Sequence, residues 1–464
     1  MRDRFRRHGK VASWREPCAF APLYSPAMRA DLRIHARWIV PVEPADVVHD
    51  RCALIVRDGR IAAILPDAVA ERDFPAPEVV RLPGHVLIPG LVNSHCHAAM
   101  SLFRGLADDL PLERWLNDHI WPAEGRWVSR EFVEVGSELA VAEMLRSGTT
   151  CFNDMYFFPD VTARVATGAG MRACVGLIVL DFPTAWARDP DEYLAKGLEL
   201  LTGIKGQALV SATVAPHATY TVSDRPLERA RDLADAHDLP VHIHVHETAG
   251  EVERAVARSG ERPLARLDRL GLVGPRLLAV HMTQLEEREI SVLAARGARV
   301  VHCPESNLKL ASGFCPTARL LAAGVEVALG TDGAASNNDL DLLGEMRTAA
   351  ILAKGVARDA TALPAAAALR MASLDGARVL GLGQVTGSLE PGKAADAAAI
   401  RLDRLGTEPV HNPVSSLVYA AGRDQVSDVW VAGRRLLADG ALTTVDEGDL
   451  LARAREWGER IRQG

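Results

Sequence analysis

Two histidines separated by a single residue, His95 and His97, follow the strand-like run at residues 91–94. In an extended strand, a spacing of two places both imidazole rings on the same side of the chain. Two neutral imidazoles side by side suit a divalent metal ion. A pair of hydrogen-bonded surface histidines has the same spacing, so this pair alone leaves both interpretations open.

A second group of histidines lies in the run V-H-I-H-V-H at residues 241–246. His242, His244 and His246 alternate with apolar residues, which predicts that they share one face of a strand and that at least one points towards a site. A hydrogen-bonded polar layer would give the same pattern, so we expect most of the three not to bind metal. Glu247 follows directly, where a proton carrier could reach a bound substrate.

Two further apolar runs end in residues of the same chemical type. Residues 277–280 are followed by His281, and residues 325–331 are followed by Asp332. One such residue alone is commonly a helix cap or a loop contact. Four strand ends that each close with a ligand-type residue predict a shared divalent-metal site.

The elements that must position these side chains alternate along residues 87–385. Short apolar runs are separated by helical patterns such as residues 131–146 and 226–237. This alternation is typical of a parallel sheet covered on both faces, and about eight such units favour a (β/α)8 barrel, whose strands end at one mouth. The apolar runs are residues 91–93, 173–180, 208–214, 241–245, 277–280, 299–301 and 325–329.

Short strands flank this middle part on both sides. A turn signal at residues 58–59 joins the apolar runs 52–56 and 61–65 into a hairpin, and further short strands follow residue 391. We therefore expect an α/β protein in which both chain ends build one small composite β-sandwich domain. The predicted limits are 30–86 and 386–445 for the sandwich, 87–385 for the barrel, 446–464 for a C-terminal helix and 1–29 for a disordered extension or sequence ahead of a later start at Met28.

The composition narrows the classes of partner and location. The 464 residues carry a formal net charge of −7, which argues against a nucleic-acid partner, because such partners usually select a basic surface. No stretch reaches the ~18 apolar residues of a membrane span, so we expect no membrane partner. The seven cysteines are odd in number and contain no C-x-x-C pair, which favours a reducing compartment and a cytoplasmic location.

Several segments resemble the amidohydrolase superfamily. Residues 85–100 look like its opening motif, and the others resemble its methylthioadenosine/S-adenosylhomocysteine deaminase branch, which also holds triazine hydrolases. The resemblance runs from about residue 30 to 445. The segments are H-V-L-I-P-G-L-V-N-S-H-C-H-A-A-M (85–100), W-P-A-E (121–124), S-G-T-T-C-F-N-D-M-Y (147–156), A-P-H-A-T-Y (215–220), H-V-H-E-T (244–248), S-N-L-K-L-A-S-G (306–313), L-G-T-D-G-A-A-S-N-N (329–338) and G-S-L-E-P-G-K-A-A-D (387–396).

The resemblance implies hydrolytic deamination of an adenosine-type nucleoside to the inosine analogue and ammonia. The implied substrates are 5′-methylthioadenosine, S-adenosylhomocysteine and adenosine, and the implied cofactor is one Zn²⁺ or another divalent metal per subunit. A homo-oligomer is compatible with the resemblance. The matching positions are His95, His97, His244 and Asp332 as metal ligands, Glu247, His281 and Asp332 as catalytic residues, and Glu124, His217, Glu247 and Asp332 as substrate contacts.

The sequence departs from the family pattern after residues 176–180, where members of this branch can carry an arginine. Residues 181–184 contain none, and the nearest arginine is Arg188. The preference among the three nucleosides therefore stays open. Residues 207–220 contain no lysine that could bridge two metals after carboxylation, which favours a single metal.

The sequence is compatible with two alternative functions. One is guanine or 8-oxoguanine deamination, or triazine hydrolysis, on the same scaffold, because barrel loops are easily retuned. Glu124 favours a nucleoside over a bare base, since a carboxylate suits two ribose hydroxyls, although an exposed acid at a helix start would look the same. The other alternative is a non-catalytic barrel that lost its metal. The intact set of metal-ligand residues argues against this alternative.

Overall fold

The computed structural model describes residues 29–464, so the predicted extension at 1–29 lies outside the described residues apart from Arg29. No helix within this range combines the length and apolar character that crossing a bilayer requires. The strands are β1 (Leu32–Ile39), β2 (His49–Arg57), β3 (Arg60–Pro66), β4 (Glu78–Pro89), β5 (Leu91–Cys96), β6 (Thr149–Asp154), β7 (Arg172–Val179), β8 (Val210–Pro216), β9 (Val241–Val245), β10 (Leu277–His281), β11 (Arg299–His302), β12 (Val327–Leu329), β13 (Ala397–Arg401), β14 (Val426–Val431), β15 (Arg434–Ala438) and β16 (Ala441–Leu442).

Helices connect most of these strands. Short 3₁₀ segments lie at Ala98–Phe103 and Arg423–Gln425, and π-helical turns lie at Trp115–Ile120 and Met371–Asp375. The α-helices are α1 (Asp67–Asp73), α2 (Leu112–Arg114), α3 (Trp121–Trp127), α4 (Arg130–Arg146), α5 (Pro159–Ala169), α6 (Pro190–Gly203), α7 (Asp224–His237), α8 (Ala249–Ser259), α9 (Pro263–Arg269), α10 (Glu287–Arg296), α11 (Pro304–Lys309), α12 (Thr317–Ala322), α13 (Leu342–Ala357), α14 (Ala365–Arg370), α15 (Gly376–Val379), α16 (Pro413–Tyr419) and α17 (Glu447–Gln463).

Strands β5 to β12 form a parallel sheet in sequence order, which confirms the predicted barrel. The barrel closes between β12 and β5, where the Asp332 amide donates to the His95 carbonyl at 3.1 Å. Beside it, the Thr331 amide donates to Asn93 Oδ1 at 3.0 Å. A Cβ added to Gly330 would lie 2.8 Å from the His95 Cβ, so this close approach requires glycine. The closure brings the ends of β5 and β12 together.

The second sheet has the order β16-β15-β14-β13-β4-β1-β2-β3, so both chain ends build it, as predicted. The hairpin turn predicted at residues 58–59 joins β2 to β3. Strand β4 continues to Pro89, and Gly90 leads straight into β5 of the barrel. A buried ion pair between Arg172 Nε and Asp396 Oδ2, 3.0 Å apart, ties the start of β7 to the loop before β13. The two sheets are therefore connected by the continuous chain and by this ion pair.

Candidate active site

The C-terminal ends of four barrel strands bring the predicted metal-type residues together. His95, His244, His281 and Asp332 are all buried, and one ligand-type atom from each lies within 4.8 Å of the others. His97 lies beside them, with its Nε2 3.1 Å from Asp332 Oδ1. The closure of the barrel explains the cluster, because β5 and β12 are neighbours only in a closed sheet.

The hydrogen bonds of two rings determine which nitrogen atoms are free. His97 Nδ1 lies 2.6 Å from the Met155 carbonyl, and His244 Nδ1 lies 2.6 Å from the His217 carbonyl. A carbonyl oxygen only accepts, so both Nδ1 atoms donate, and in a neutral ring Nε2 then carries a lone pair. These Nε2 atoms face Asp332 and His95, respectively, at 3.1 and 3.2 Å. Lone pairs and a carboxylate that converge in this way fit a divalent cation.

The pKa shifts of Asp332 and His95 favour the protonation states of metal ligands. Burial opposes the charged form of Asp332, but its contacts with the rings of His95 and His97 outweigh burial and hold the carboxyl pKa well below its usual value. Asp332 Oδ2 also accepts from the hydroxyls of Ser306 and Ser336 at 2.6 and 2.7 Å. Burial lowers the pKa of His95 to about 4, so this imidazole is neutral at neutral pH, as metal binding requires.

Glu247 lies next to this cluster with the opposite protonation state. Its carboxylate is buried, and Oε2 is 3.8 Å from His281 Nε2. Burial, followed by the negative charges of Asp332 and Glu251, raises the Glu247 pKa well above its usual value. The ring of His281 is held from the other side, since its Nδ1 is 2.9 Å from Asn307 Oδ1. A raised pKa favours the protonated carboxyl group, which is the form that a proton donor needs.

A cavity of about 440 Å³ opens above the cluster. His97, His244, Glu247 and Asp332 line it, and most of the remaining wall is apolar. Its lining comprises His97, Met100, Leu112, Trp115, Leu116, Ile120, Trp121, Glu124, Gly125, Val128, Met155, Tyr156, Phe157, Ile178, Leu180, Phe182, Pro183, Thr184, Ala185, His217, Tyr220, His244, Glu247, His281, Leu310, Asp332 and Ser336.

The two predicted substrate contacts, Glu124 and His217, both line this cavity. Glu124 is partly accessible on α3, and burial of its carboxyl raises the pKa to about 7, although the Tyr156 hydroxyl acts in the opposite direction. Burial lowers the pKa of His217 to about 3, so its ring is neutral. The wall thus offers a carboxyl group, and a neutral imidazole whose ring centroid lies 4.9 Å from that of His244.

Arg188 does not reach the cavity. Its side chain is 81% exposed and pairs with Glu192 at 3.3 Å. The wall after β7 consists of Phe182 and residues 183–185 instead, and no lysine or arginine in the described part of the chain lines the cavity. The arginine that some members of the family branch carry therefore has no counterpart in this wall.

The prediction that His242, His244 and His246 share one face is wrong for His246. Strand β9 ends at Val245, and His246 has a left-handed backbone with φ of 55°. Its Nε2 consequently accepts from the Leu264 amide at 3.1 Å, away from the cluster. His242 does stay on the face of His244, but it supports the cluster, with its Nε2 2.8 Å from His95 Nδ1.

Comparison with known proteins agrees with this geometry. The amidohydrolase family model matches residues 86–436. A 5-methylthioadenosine/S-adenosylhomocysteine deaminase of Teredinibacter turnerae is 50% identical over 431 residues, which cover 93% of this chain and 98% of the relative.

Two solved structures share the fold. The crystal structure of an adenosine deaminase from Xanthomonas campestris with bound zinc is 55% identical, has a TM-score of 0.93, and the match covers 95% of this chain and 100% of that one. Atrazine chlorohydrolase from Arthrobacter aurescens is 23% identical with a TM-score of 0.85 over 92% of this chain and 100% of that one, which shows the common fold alone. By sequence and by fold, this chain belongs to the amidohydrolase family.

Proposed function

We propose that this protein hydrolytically deaminates adenosine-type nucleosides, in particular 5′-methylthioadenosine and S-adenosylhomocysteine, to the inosine analogue and ammonia. The observation that carries the proposal is the cavity itself. Glu247, Glu124 and residues of the His–Asp cluster all line it. Relatives that are named for this reaction and share half of the sequence support it. A cytoplasmic location and a homo-oligomeric state stay predictions from the sequence.

His95, His97, His244 and Asp332 would hold one divalent metal, and we propose zinc. The ring nitrogens of His97 and His244 support this set, because their Nδ1 atoms donate to backbone carbonyls and leave Nε2 for a cation. The bound metal would lower the pKa of a water molecule and so make a hydroxide nucleophile available near neutral pH. His281 lies within the same cluster but is assigned to the water and not to the metal.

The proton transfers can be assigned to three side chains. Glu247 gives its proton to the purine ring nitrogen beside the amino-bearing carbon, which makes that carbon electrophilic. Asp332 and His281 orient the attacking water and accept one of its protons, which then passes to the departing amino group and leaves with it as ammonia. The remaining hydroxyl proton returns to Glu247, so the acid is restored after each turnover.

The cavity wall accounts for recognition of a nucleoside. Once ionised, the Glu124 carboxylate can accept hydrogen bonds from two neighbouring ribose hydroxyls. Beyond it, Trp121 and Phe182, whose ring centroids are 6.2 Å apart, offer an apolar surface to a 5′-substituent. His217 offers a neutral nitrogen as a further substrate contact.

An assay of purified, zinc-loaded protein tests the proposal. Adenosine, 5′-methylthioadenosine, S-adenosylhomocysteine and guanine are each incubated with it, while ultraviolet absorbance and ammonia are followed together. We expect loss of the adenine chromophore with equal ammonia for the nucleosides and no change for guanine. Protein that holds about one metal per chain but leaves every adenosine compound unchanged would contradict the substrate assignment.

A further inference from the structure

Glu251 is a buried carboxylate that contacts the backbone on which Glu247 stands. It occupies the third position of α8, and 3% of its surface is exposed. Its Oε2 accepts from the Glu247 amide at 2.7 Å. Its Oε1 accepts from the His246 amide at 3.2 Å and from the Thr219 hydroxyl at 2.9 Å. One carboxylate thus joins the loop after β8 to the loop that carries Glu247.

These contacts exceed what the helix needs for capping. The first turn of α8 is already capped, because the Thr248 hydroxyl accepts from the Glu251 amide at 3.2 Å. Glu251 reaches back past this cap to the amides of Glu247 and His246. The left-handed backbone of His246 turns both N–H groups towards the same carboxylate. Because the strand ends there, Glu251 on α8 can bind the backbone of the preceding loop.

The backbone of Glu247 is also held at its carbonyl. The hydroxyl of Thr283 donates to the Glu247 carbonyl at 2.6 Å. Glu251 binds the Glu247 amide and Thr283 binds its carbonyl, so the backbone position of Glu247 is fixed. Its carboxyl group then lies 3.8 Å from His281 and faces the cavity.

We propose that Glu251 is a positioning residue that fixes the proton carrier Glu247 by holding its backbone amide. The inference rests on the proposed deaminase function, in which Glu247 moves the proton. A displacement of about 1 Å in a catalytic group can cost about 100-fold in rate. Glu251 itself does not touch the substrate, so its effect must pass through Glu247.

The test uses Glu251→Gln in zinc-loaded protein with 5′-methylthioadenosine as substrate. Glutamine keeps only one acceptor oxygen, so its NH₂ group must face the N–H of either Glu247 or His246, and both orientations disturb the backbone on which Glu247 stands. We expect kcat to fall about 100-fold, with KM and bound zinc unchanged. A kcat within about twofold of wild type, or a loss confined to KM, would overturn the proposal.

Glu289 provides a matched control. It is also buried, occupies the third position of α10, and accepts from the Glu286 amide at 2.8 Å. Its other contacts are with Arg262, at 2.7 Å, and with the His246 ring, at 3.7 Å, and not with the Glu247 backbone. Glu289→Gln should therefore keep kcat even if it lowers the melting temperature. Glu251→Asp, which keeps the charge but shortens the reach to Glu247, serves as the second variant if Glu251→Gln does not fold, and should lower kcat in the same way.

A double-mutant cycle separates positioning from general destabilisation. If Glu251 acts through Glu247, the Glu247→Gln/Glu251→Gln protein should be no slower than Glu247→Gln alone. Independent effects would instead multiply, and that result would refute the assigned role.

A crystal structure of Glu251→Gln tests the contact without any substrate. We expect the Glu247 carboxyl group to be displaced from His281 in this variant and not in Glu289→Gln. An undisplaced Glu247 would overturn the inference. By contrast, a displaced Glu247 together with wild-type protein that deaminates no nucleoside would refute the proposed function and leave the positioning role of Glu251 in place.

Discussion

Glu124 gives the sharpest test of nucleoside recognition, because it lines the cavity but does not belong to the His–Asp cluster. Glu124→Gln keeps the size of the side chain but removes its charge and replaces one acceptor oxygen by a donor. Hydrogen bonds to charged groups contribute about 1.5–3 kcal/mol each, and about 1.4 kcal/mol corresponds to tenfold in rate. Loss of one such bond should therefore lower kcat/KM for adenosine by about 10- to 150-fold.

Adenine, which lacks the ribose, is the internal control for this variant. The measurement is kcat/KM for adenosine and for adenine with both proteins. We expect Glu124→Gln to lose activity on adenosine and to retain the wild-type value on adenine. An equal loss on both substrates would mean that Glu124 supports the site in general, and the argument from ribose hydroxyls would then be refuted.

The pH profile adds a second signature of the same group. Burial raises the Glu124 pKa from 4.5 to about 7, so the charged form is lost as the pH falls through about 7. Because kcat/KM reports groups of the free enzyme, the wild-type value for adenosine should decline below about pH 7, by up to about tenfold per pH unit. The Glu124→Gln protein should lack this part of the decline.

Three further changes test the remaining parts of the site. Glu247→Gln should lower kcat by about 10²–10⁴-fold, because the proton carrier is lost, while zinc measured by elemental analysis stays at the wild-type level. Removing the metal with a chelator should abolish deamination, and added zinc should restore it. The His97→Ala protein should need more zinc than the wild-type protein for the same recovery, because one ligand is missing. 5′-Methylthioadenosine should give at least about tenfold higher kcat/KM than S-adenosylhomocysteine. The charged tail of S-adenosylhomocysteine would contact Trp121 and Phe182 without a cation to pair with, at a cost of roughly 1–3 kcal/mol. Equal kcat/KM values for the two nucleosides would contradict this reasoning.

The sequence pattern located the barrel strands that are apolar and missed one that is not. Strand β6, Thr149–Asp154, is buried throughout, yet its polar residues interrupt any apolar run. Those groups are paired inside the barrel: Asn153 donates to the Ser94 carbonyl at 3.0 Å, and Asp154 accepts from the Ala98 amide at 2.8 Å. Hydropathy cannot reveal a strand whose buried side chains are polar and hydrogen-bonded to its neighbours.

The sequence pattern also fails to predict side-chain positions that depend on local backbone geometry. Alternation along residues 241–246 predicts a common face for the three histidines, but the left-handed φ of His246 ends the period of two one residue early. Glu251 follows Glu247 by four residues, which on a helix would place both on one side. It contacts the Glu247 amide only because α8 begins at Ala249, between the two. Such contacts follow from where a strand stops, which composition does not determine.

The site depends on two buried carboxyl groups in opposite protonation states. Burial alone would favour the neutral acid for both Asp332 and Glu247. Asp332 differs because the rings of His95 and His97 contact one of its oxygens and lower its pKa, and the hydroxyls of Ser306 and Ser336 donate to the other oxygen.

Glu247 receives no such compensation. The negative charges of Asp332 and Glu251 add to the effect of burial and keep its proton in place. The same barrel mouth can therefore hold an anion that suits a metal and an acid that can protonate a purine, and the difference lies in the donors that surround each carboxyl group.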